Sequence, residues 1–302
     1  MDFLSEEQVR ARLTYRALIP AVEQALRDLS LGCIQQPVRS VLRLPERHGI
    51  LGLMPAVDGD LMAIKLVTIY ERNRELPTHQ AIIQLFSAHT GEPLVAMDAR
   101  LITEMRTAAV SAVAVRTLAP PDARVLAILG SGVQARSHLQ ALRVVRDLDQ
   151  VRVWSRTPDH AQRFAREHGA RAMETAEAAV RGADIVVSVA SVREPLVRGA
   201  WLGEQTMVCA VATVGPDRRE LDDAAMQASV IVESRQAAML ESGDIIASRT
   251  PITAEIGEIV AGLAPVPVGR IVFKSLGVGA TDLAAAALVW AGPQRCPSDN
   301  CP

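Results

Sequence analysis

One hexapeptide constrains the fold more than any other part of the chain. Gly130-Ser131-Gly132-Val133-Gln134-Ala135 follows an apolar run over residues 125–129 and opens an amphipathic stretch over 134–145. In the spacing G-x-G-x-x-A, the first glycine permits a tight turn after a strand. The second lets the backbone approach a pyrophosphate, and the small Ala135 lets helix and strand pack closely. The free N–H groups at the helix start then face the phosphate charge. An ordinary glycine-rich turn carries the same residues, so the argument rests on the strand–loop–helix setting. In that setting Gly130, Gly132, Val133 and Gln134 are expected to hold a dinucleotide.

The rest of this half repeats the pattern. Strand-like runs at 151–154, 184–190, 207–212, 230–233 and 270–276 alternate with loops and a helical stretch at 158–168. Strands alternating with helices imply a Rossmann-type, doubly wound parallel sheet, hence an α/β fold. The 302 residues suit two domains at about 100–200 residues each. Ahead of Ala119-Pro120-Pro121 the pattern differs. Ser5 and Gln8 resemble a capping box that opens a helix through about residue 13, and an amphipathic helix follows at 15–29. Short β-like runs at 38–44, 50–54, 61–69, 81–87 and 94–98 come next, then a small-residue helix at 103–118. We therefore expect an α+β domain over 1–119, onto which the Ala-rich stretch at 280–290 could fold back, and a dinucleotide-binding domain over 120–276.

Composition narrows the function classes. Net charge is −2, which gives no support for nucleic acid or a membrane surface as partner. No apolar run reaches the 18 or so residues of a membrane span. The beginning, Met1-Asp2-Phe3-Leu4-Ser5, lacks an apolar signal region, so a cytoplasmic protein is expected. Four cysteines do not make a disulfide framework. Cys33 and Cys209 read as small core residues, and Cys296 and Cys301 as part of a polar tail without further ligands, so no metal is expected.

Two details point to chemistry. The strand after the glycine loop ends Val153-Trp154-Ser155-Arg156-Thr157. The acid that usually accepts the ribose hydroxyls of NAD is absent, and Ser155, Arg156 and Thr157 offer donors and positive charge for a 2′-phosphate. NADPH is thus expected, with NADH disfavoured. Secondly, 30 of the 32 cationic residues are arginine; the two lysines are Lys65 and Lys274. Arg39, Lys65 and Arg106 each stand alone in an apolar or small-residue segment. A buried lone cation is costly unless paired, so the three suggest a carboxylate pocket with Lys65 near the reacting centre.

Several segments together carry a resemblance over residues 3–290. They are Gln36-Pro37-Val38-Arg39-Ser40-Val41, Gly52-Leu53-Met54-Pro55-Ala56, Lys65-Leu66-Val67-Thr68, Arg106-Thr107-Ala108-Ala109-Val110-Ser111-Ala112, the glycine loop, Arg219-Glu220-Leu221-Asp222-Asp223, Glu241-Ser242-Gly243-Asp244 and Val272-Phe273-Lys274-Ser275-Leu276-Gly277. The chain resembles the ornithine cyclodeaminase/mu-crystallin family, closest to the mu-crystallin type, an NADPH-dependent ketimine reductase. The resemblance implies a homodimer in which 1–119, completed by 277–302, is an α+β substrate-binding and dimerisation domain and 120–276 the NADP-binding domain, with Arg39, Lys65 and Arg106 holding the substrate carboxylate and imine. It implies that Thr78, His79 and Arg106 contact the nicotinamide side, and that Ser155, Arg156 and Thr157 bind the 2′-phosphate. Ala190, Ser191, Val211, Thr213 and Leu276 are implied to complete the cofactor site, and Thr213 and Glu255 to face the substrate.

One departure matters. Cyclodeaminases and the family's alanine dehydrogenases carry Asp where this chain has Thr213. Without that carboxylate, moving the protons of a distal amine is hard to explain, which demotes cyclodeamination. The chain also reads Ala212-Thr213-Val214-Gly215 where mu-crystallin has a Gly-Ala-Ser-Arg segment, so substrate range and hormone-like ligands stay open. The expected reaction is hydride transfer from NADPH to the imine carbon of a cyclic ketimine carboxylate of the Δ1-piperideine-2-carboxylate or Δ1-pyrroline-2-carboxylate type. Lys65 either donates a proton to the imine nitrogen or hydrogen-bonds the carboxylate, and His79 is the other proton group. The alternatives are an amino-acid dehydrogenase or imine reductase acting on open-chain keto acids, an ornithine cyclodeaminase, and a non-catalytic binder of NADPH and a hormone-like ligand.

Overall fold

The computed structural model describes residues 2–292; Cys296 and Cys301 lie outside the described residues. These fall into two compact units, one running to Arg106 and resuming at Val278, the other spanning Thr107–Gly277. The first begins with β1 (Asp2–Leu4), α1 (Glu6–Arg10) and α2 (Tyr15–Ser30). The capping box at α1 forms: the Gln8 N–H donates to Ser5 Oγ, and the Ser5 N–H donates to Gln8 Oε1 at 2.9 Å. The helix stops at Arg10, one turn short of expectation. Next come β2 (Ser40–Leu44), β3 (Gly49–Asp58), β4 (Leu61–Tyr70), β5 (His79–Ser87), β6 (Pro93–Asp98) and α3 (Arg100–Leu118), which crosses into the second unit.

The six strands form one sheet in the order β1-β6-β5-β4-β3-β2, antiparallel except for β1 against β6. The run expected to end at Met54 continues through Pro55. Strand β2 pairs with β3 only over Gly49–Leu53, so beyond it Pro55 meets only β4 in the ladder and its missing N–H leaves no gap. Alternation along the strands separates two faces. Met54, Lys65, Ile83 and Met97 form one cross-strand row on the buried face. The row Leu53, Leu66 and Ile82 looks the other way and is partly exposed.

The second unit holds β7 (Val125–Leu129), α4 (Val133–Val145), β8 (Gln150–Trp154), α5 (Pro158–His168), β9 (Arg171–Ala172), α6 (Ala176–Val180), β10 (Ile185–Ser188) and β11 (Met207–Ala210). After these come β12 (Ser229–Val232), α7 (Arg235–Glu241), α8 (Gly243–Ser248), β13 (Ile252–Glu255), α9 (Ile256–Val260) and β14 (Ile271–Lys274). All eight strands run parallel in the order β13-β12-β14-β11-β10-β7-β8-β9. From β9 to β14 this is the Rossmann order, with its switch between β7 and β10. Completely buried Leu126–Leu129 and Ile185–Val187 explain why these strands read as continuous apolar runs.

The last helix, α10 (Gly279–Ala291), returns to the first unit and packs on β3, β4 and α2. The boundary expected at Pro120-Pro121 falls instead inside α3, between Arg106 and Thr107. Arg146 supplies the physical reason. Its Nη2 donates to the carbonyls of Val115, Arg116 and Ala119 at 3.1–3.2 Å, satisfying the end of α3 from within the second unit. Among the described residues no helix is long and apolar enough to cross a membrane.

Candidate active site

In the first unit, three elements deliver charge to one buried point. Lys65 projects from the covered face of β4, Arg106 ends the first-unit part of α3, and Asp282 sits in the first turn of α10. All three are 5% exposed or less. The Asp282 carboxylate is a fork. Arg106 Nε donates to Oδ1 at 2.9 Å, and Lys65 Nζ lies 2.6 Å from Oδ2. Neither Nη nitrogen of Arg106 has a partner among the described residues, so its bidentate edge remains open to a planar carboxylate. Arg39, half-buried ahead of β2, adds positive charge to the same field. Lys65 and Arg106 thus share one acid, with the Arg39 charge in the same field, a balance suited to an anionic ligand.

This balance sets the proton affinities. Burial, reinforced by the Arg106 charge, lowers the Lys65 ammonium from its ordinary value to about 7, with Asp282 pulling the other way. Burial alone would raise the Asp282 carboxyl. The charges of Arg106 and Lys65 outweigh it and hold the group below the usual carboxylate range. His79, at the start of β5, is lowered to about 4 by burial and then by Lys65 and Arg106. At neutral pH it is an uncharged imidazole, so Lys65 is the group in this cluster poised to exchange a proton. Thr78 is exposed just before β5.

In the second unit, the glycine loop leaves β7 with Gly130 at φ 126°, a region that favours glycine. A Cβ there would come within 3.1 Å of backbone atoms of Val189 and Ala190, just past β10. Gly132 is different. Its φ of −87° suits any residue, and a Cβ would meet nothing within 4 Å. The space beside it, at the uncapped start of α4, is free for a phosphate. Ser131 Oγ donates to Ser155 Oγ at 3.0 Å, tying the loop to the end of β8. Arg156 beside it is exposed and has no ion pair among the described residues. Ala190 and Ser191 follow β10, Val211 follows β11 and Leu276 follows β14, so this set gathers at the carboxyl ends of the strands.

Two of the expected substrate residues belong to this second unit and are already engaged. Thr213 is 2% exposed and donates through Oγ1 to Glu220 Oε1 at 3.2 Å. Lys274 Nζ donates to the Thr213 carbonyl and hydroxyl at 3.0 Å and to Glu220 at 2.5 Å, and lies 3.1 Å from Asp244. Glu255 caps α9 and accepts the Arg235 N–H at 2.8 Å. The cations Arg39, Lys65 and Arg106 do converge within the first unit, and Thr213 and Glu255 belong to the second. A cavity of about 470 Å³ lined by Arg116, Pro120, Arg146 and Pro267 contains none of the expected residues.

Asp282 is the group that sequence reading missed. The signal was present: a lone acid in the Ala-rich run 279–291, the mirror image of a lone lysine in β4. Glu220 and Asp244 stood inside quoted motifs without a role.

The sequence model of the ornithine cyclodeaminase/mu-crystallin family matches residues 1–292. Ketimine reductase mu-crystallin of Mus musculus is 42% identical over 300 residues, covering 95% of this chain and 96% of that protein. The structure of Thermococcus litoralis Delta(1)-pyrroline-2-carboxylate reductase in complex with NADH and L-proline superposes with a TM-score of 0.91 at 33% identity, covering 96% of each chain. An archaeal alanine dehydrogenase dimer with bound NAD reaches 0.91 at 30% identity, covering 96% of this chain and 95% of that one.

Proposed function

The chain belongs to the ornithine cyclodeaminase/mu-crystallin family, and from that premise we propose that it is an NADPH-dependent reductase of cyclic ketimine carboxylates, forming a cyclic amino acid. The observation that carries this reading is the buried Lys65–Asp282–Arg106 cluster with its excess of positive charge. Such a site favours a small anion carrying a basic nitrogen. A ketimine with its carboxylate on the imine carbon has both, as Δ1-piperideine-2-carboxylate and Δ1-pyrroline-2-carboxylate do.

The residues after β7 and β8 fit a nicotinamide dinucleotide, because a Cβ at Gly132 would project into open space at a helix N-terminus. When bound, the reduced nicotinamide supplies the hydride for the imine carbon. Arg106, through its open Nη edge, and Arg39 hold the substrate carboxylate and fix which face of the C=N bond is presented. Lys65 gives a proton to the ring nitrogen. His79 stays uncharged and serves as a hydrogen-bonding group, with Thr78, towards the nicotinamide. Ser155, Arg156 and Thr157 favour a 2′-phosphate, since no acid follows β8. Thr213 offers no carboxylate for the proton movements of a diamine, and its hydroxyl is committed to Glu220 and Lys274. The outward face of the first unit's sheet carries exposed Leu42 and Ile82 beside half-exposed Leu51, Leu53 and Leu66, which supports a homodimer through that face.

A substrate panel tests the reading. Both cyclic ketimines, an open-chain keto acid with an amine, and L-ornithine are offered with NADPH and with NADH. Oxidation of NADPH by a cyclic ketimine is the expected result. Ammonia release from ornithine, or cofactor binding without any turnover, would overturn it. Arg156→Asp should raise the KM for NADPH at least tenfold while leaving that for NADH little changed, because it removes a charge-assisted contact to the 2′-phosphate alone.

A further inference from the structure

We propose that Asp282 is a positioning residue: one carboxylate that holds Lys65 as proton donor and turns the open edge of Arg106 towards the substrate. The inference rests on the reductase reading above and adds to it the group that organises the site.

The argument starts from cost. An acid inside the Ala-rich α10, 1% exposed, is unfavourable unless both oxygens find partners. Each oxygen of Asp282 has its own cation, brought from 217 and 176 positions away in the chain. The side chain is thus a rigid spacer between Lys65 and Arg106. By taking Nε of Arg106, it leaves the Nη pair for the ligand. By taking one direction of Lys65 Nζ, it leaves the remaining N–H bonds for the imine nitrogen. As the hydride adds to carbon, the π pair of the C=N bond moves to nitrogen. That nitrogen takes a proton from Lys65 Nζ, and the neutral amine is reprotonated from solvent.

Four charged or titratable groups face Lys65: Arg39 ahead of β2, His79 on β5, Arg106 on α3 and Asp282 on α10. Asp282 is the one negative charge among them, and so the one that keeps the ammonium form populated near neutral pH, where Lys65 titrates at about 7. Removing it leaves Lys65 against the like charge of Arg106.

The two lysines make a direct test practicable. Protein labelled with [ε-13C]lysine gives two side-chain signals. The Lys65 signal should titrate near neutral pH, and the Lys274 signal should stay put through that range. In Asp282→Asn the Lys65 midpoint should move to lower pH. The alkaline limb of the kcat profile for a cyclic ketimine should move with it, so that kcat at pH 7 falls about fivefold for the first unit of displacement and about tenfold for each further unit, with a smaller change in KM. Asp282→Glu, which keeps the charge, should restore the midpoint and part of kcat. An unmoved Lys65 midpoint in Asp282→Asn, a kcat loss equal at every pH, or an Asp282→Glu profile displaced like that of the amide would overturn the proposal. Should the amide variant fail to fold, a wild-type Lys65 signal that does not titrate between pH 6 and 8 overturns it too. Absence of turnover with every ketimine would instead sink the reductase reading, and the lysine titration would still report on Asp282.

Discussion

The two lysines are equally buried and have opposite proton affinities. Lys65 and Lys274 are each 1% exposed. Lys65 faces Arg106 and Arg39 with a single acid, Asp282, and burial followed by Arg106 lowers its ammonium to about 7. Lys274 faces two acids, Glu220 and Asp244. Burial works against its charge, but those acids and the hydrogen bonds they accept overcome it and raise its affinity for the proton. Desolvation acts alike on both, so the local count of opposite charges decides the sign. A cation excess is incomplete until an anion arrives, which is the character of a binding site. The acid-rich cluster is satisfied internally and holds together the loop around Thr213.

That contrast can be broken in three ways. The largest effect belongs to Lys274→Met. It leaves Glu220 and Asp244 buried without a counter-charge, and should cost about 3–5 kcal/mol of stability by denaturant titration. A loss of turnover without a loss of stability would mean that Lys274 acts in the chemistry and that the comparison is misdrawn. Next, Lys65→Met should lower turnover about 100-fold or more. Its loss of stability should be smaller than that of Lys274→Met, because Asp282 keeps Arg106 on its other oxygen and the variant also removes an ammonium that burial disfavours. A normal kcat with only a raised KM would make Lys65 a carboxylate ligand and not a donor.

The smallest effect is in the pH dependence of stability. The folded value of Lys65, about 7, lies below its unfolded value of 10.5. Between them the unfolded chain binds more protons, so this group's contribution to stability rises with pH, by at most about 1.4 kcal/mol per unit. Lys274 has the opposite sign. Its raised affinity contributes in full below 10.5 and is lost only as pH climbs through its folded value. Unfolding free energies measured from pH 7 to 10 should therefore show an upward component that disappears in Lys65→Met. An unchanged slope in the variant would show that Lys65 is not depressed.

Much of the fold was legible because its signals are local. Residues 125–129 and 158–168 were read at their observed bounds, since a fully buried parallel strand and a proline-started, glycine-ended helix announce themselves within a few residues. The short elements between β12 and β14 were not read. Helices α7, α8 and α9 have five to seven residues each and lack a full amphipathic period. The division between the units departs from the proline pair for a related reason. Two prolines mark where a helix ends, but not which body it packs against, and Arg146 settles that from 27 residues beyond Ala119.

The candidate site divides along the same line. Composition and motif were enough to propose a dinucleotide loop and to single out the missing acid after β8 and two lysines worth asking about, because turn chemistry and charge at a strand end are properties of neighbouring residues. Whether Arg39, Lys65 and Arg106 met at all was a matter of folding, as was the identity of the acid that joins two of them. An electrostatic environment is a sum over groups distant in sequence. It exists only once β4, α3 and α10 are packed, and so it is packing that lowers the proton affinity of one lysine to near neutrality and raises that of the other.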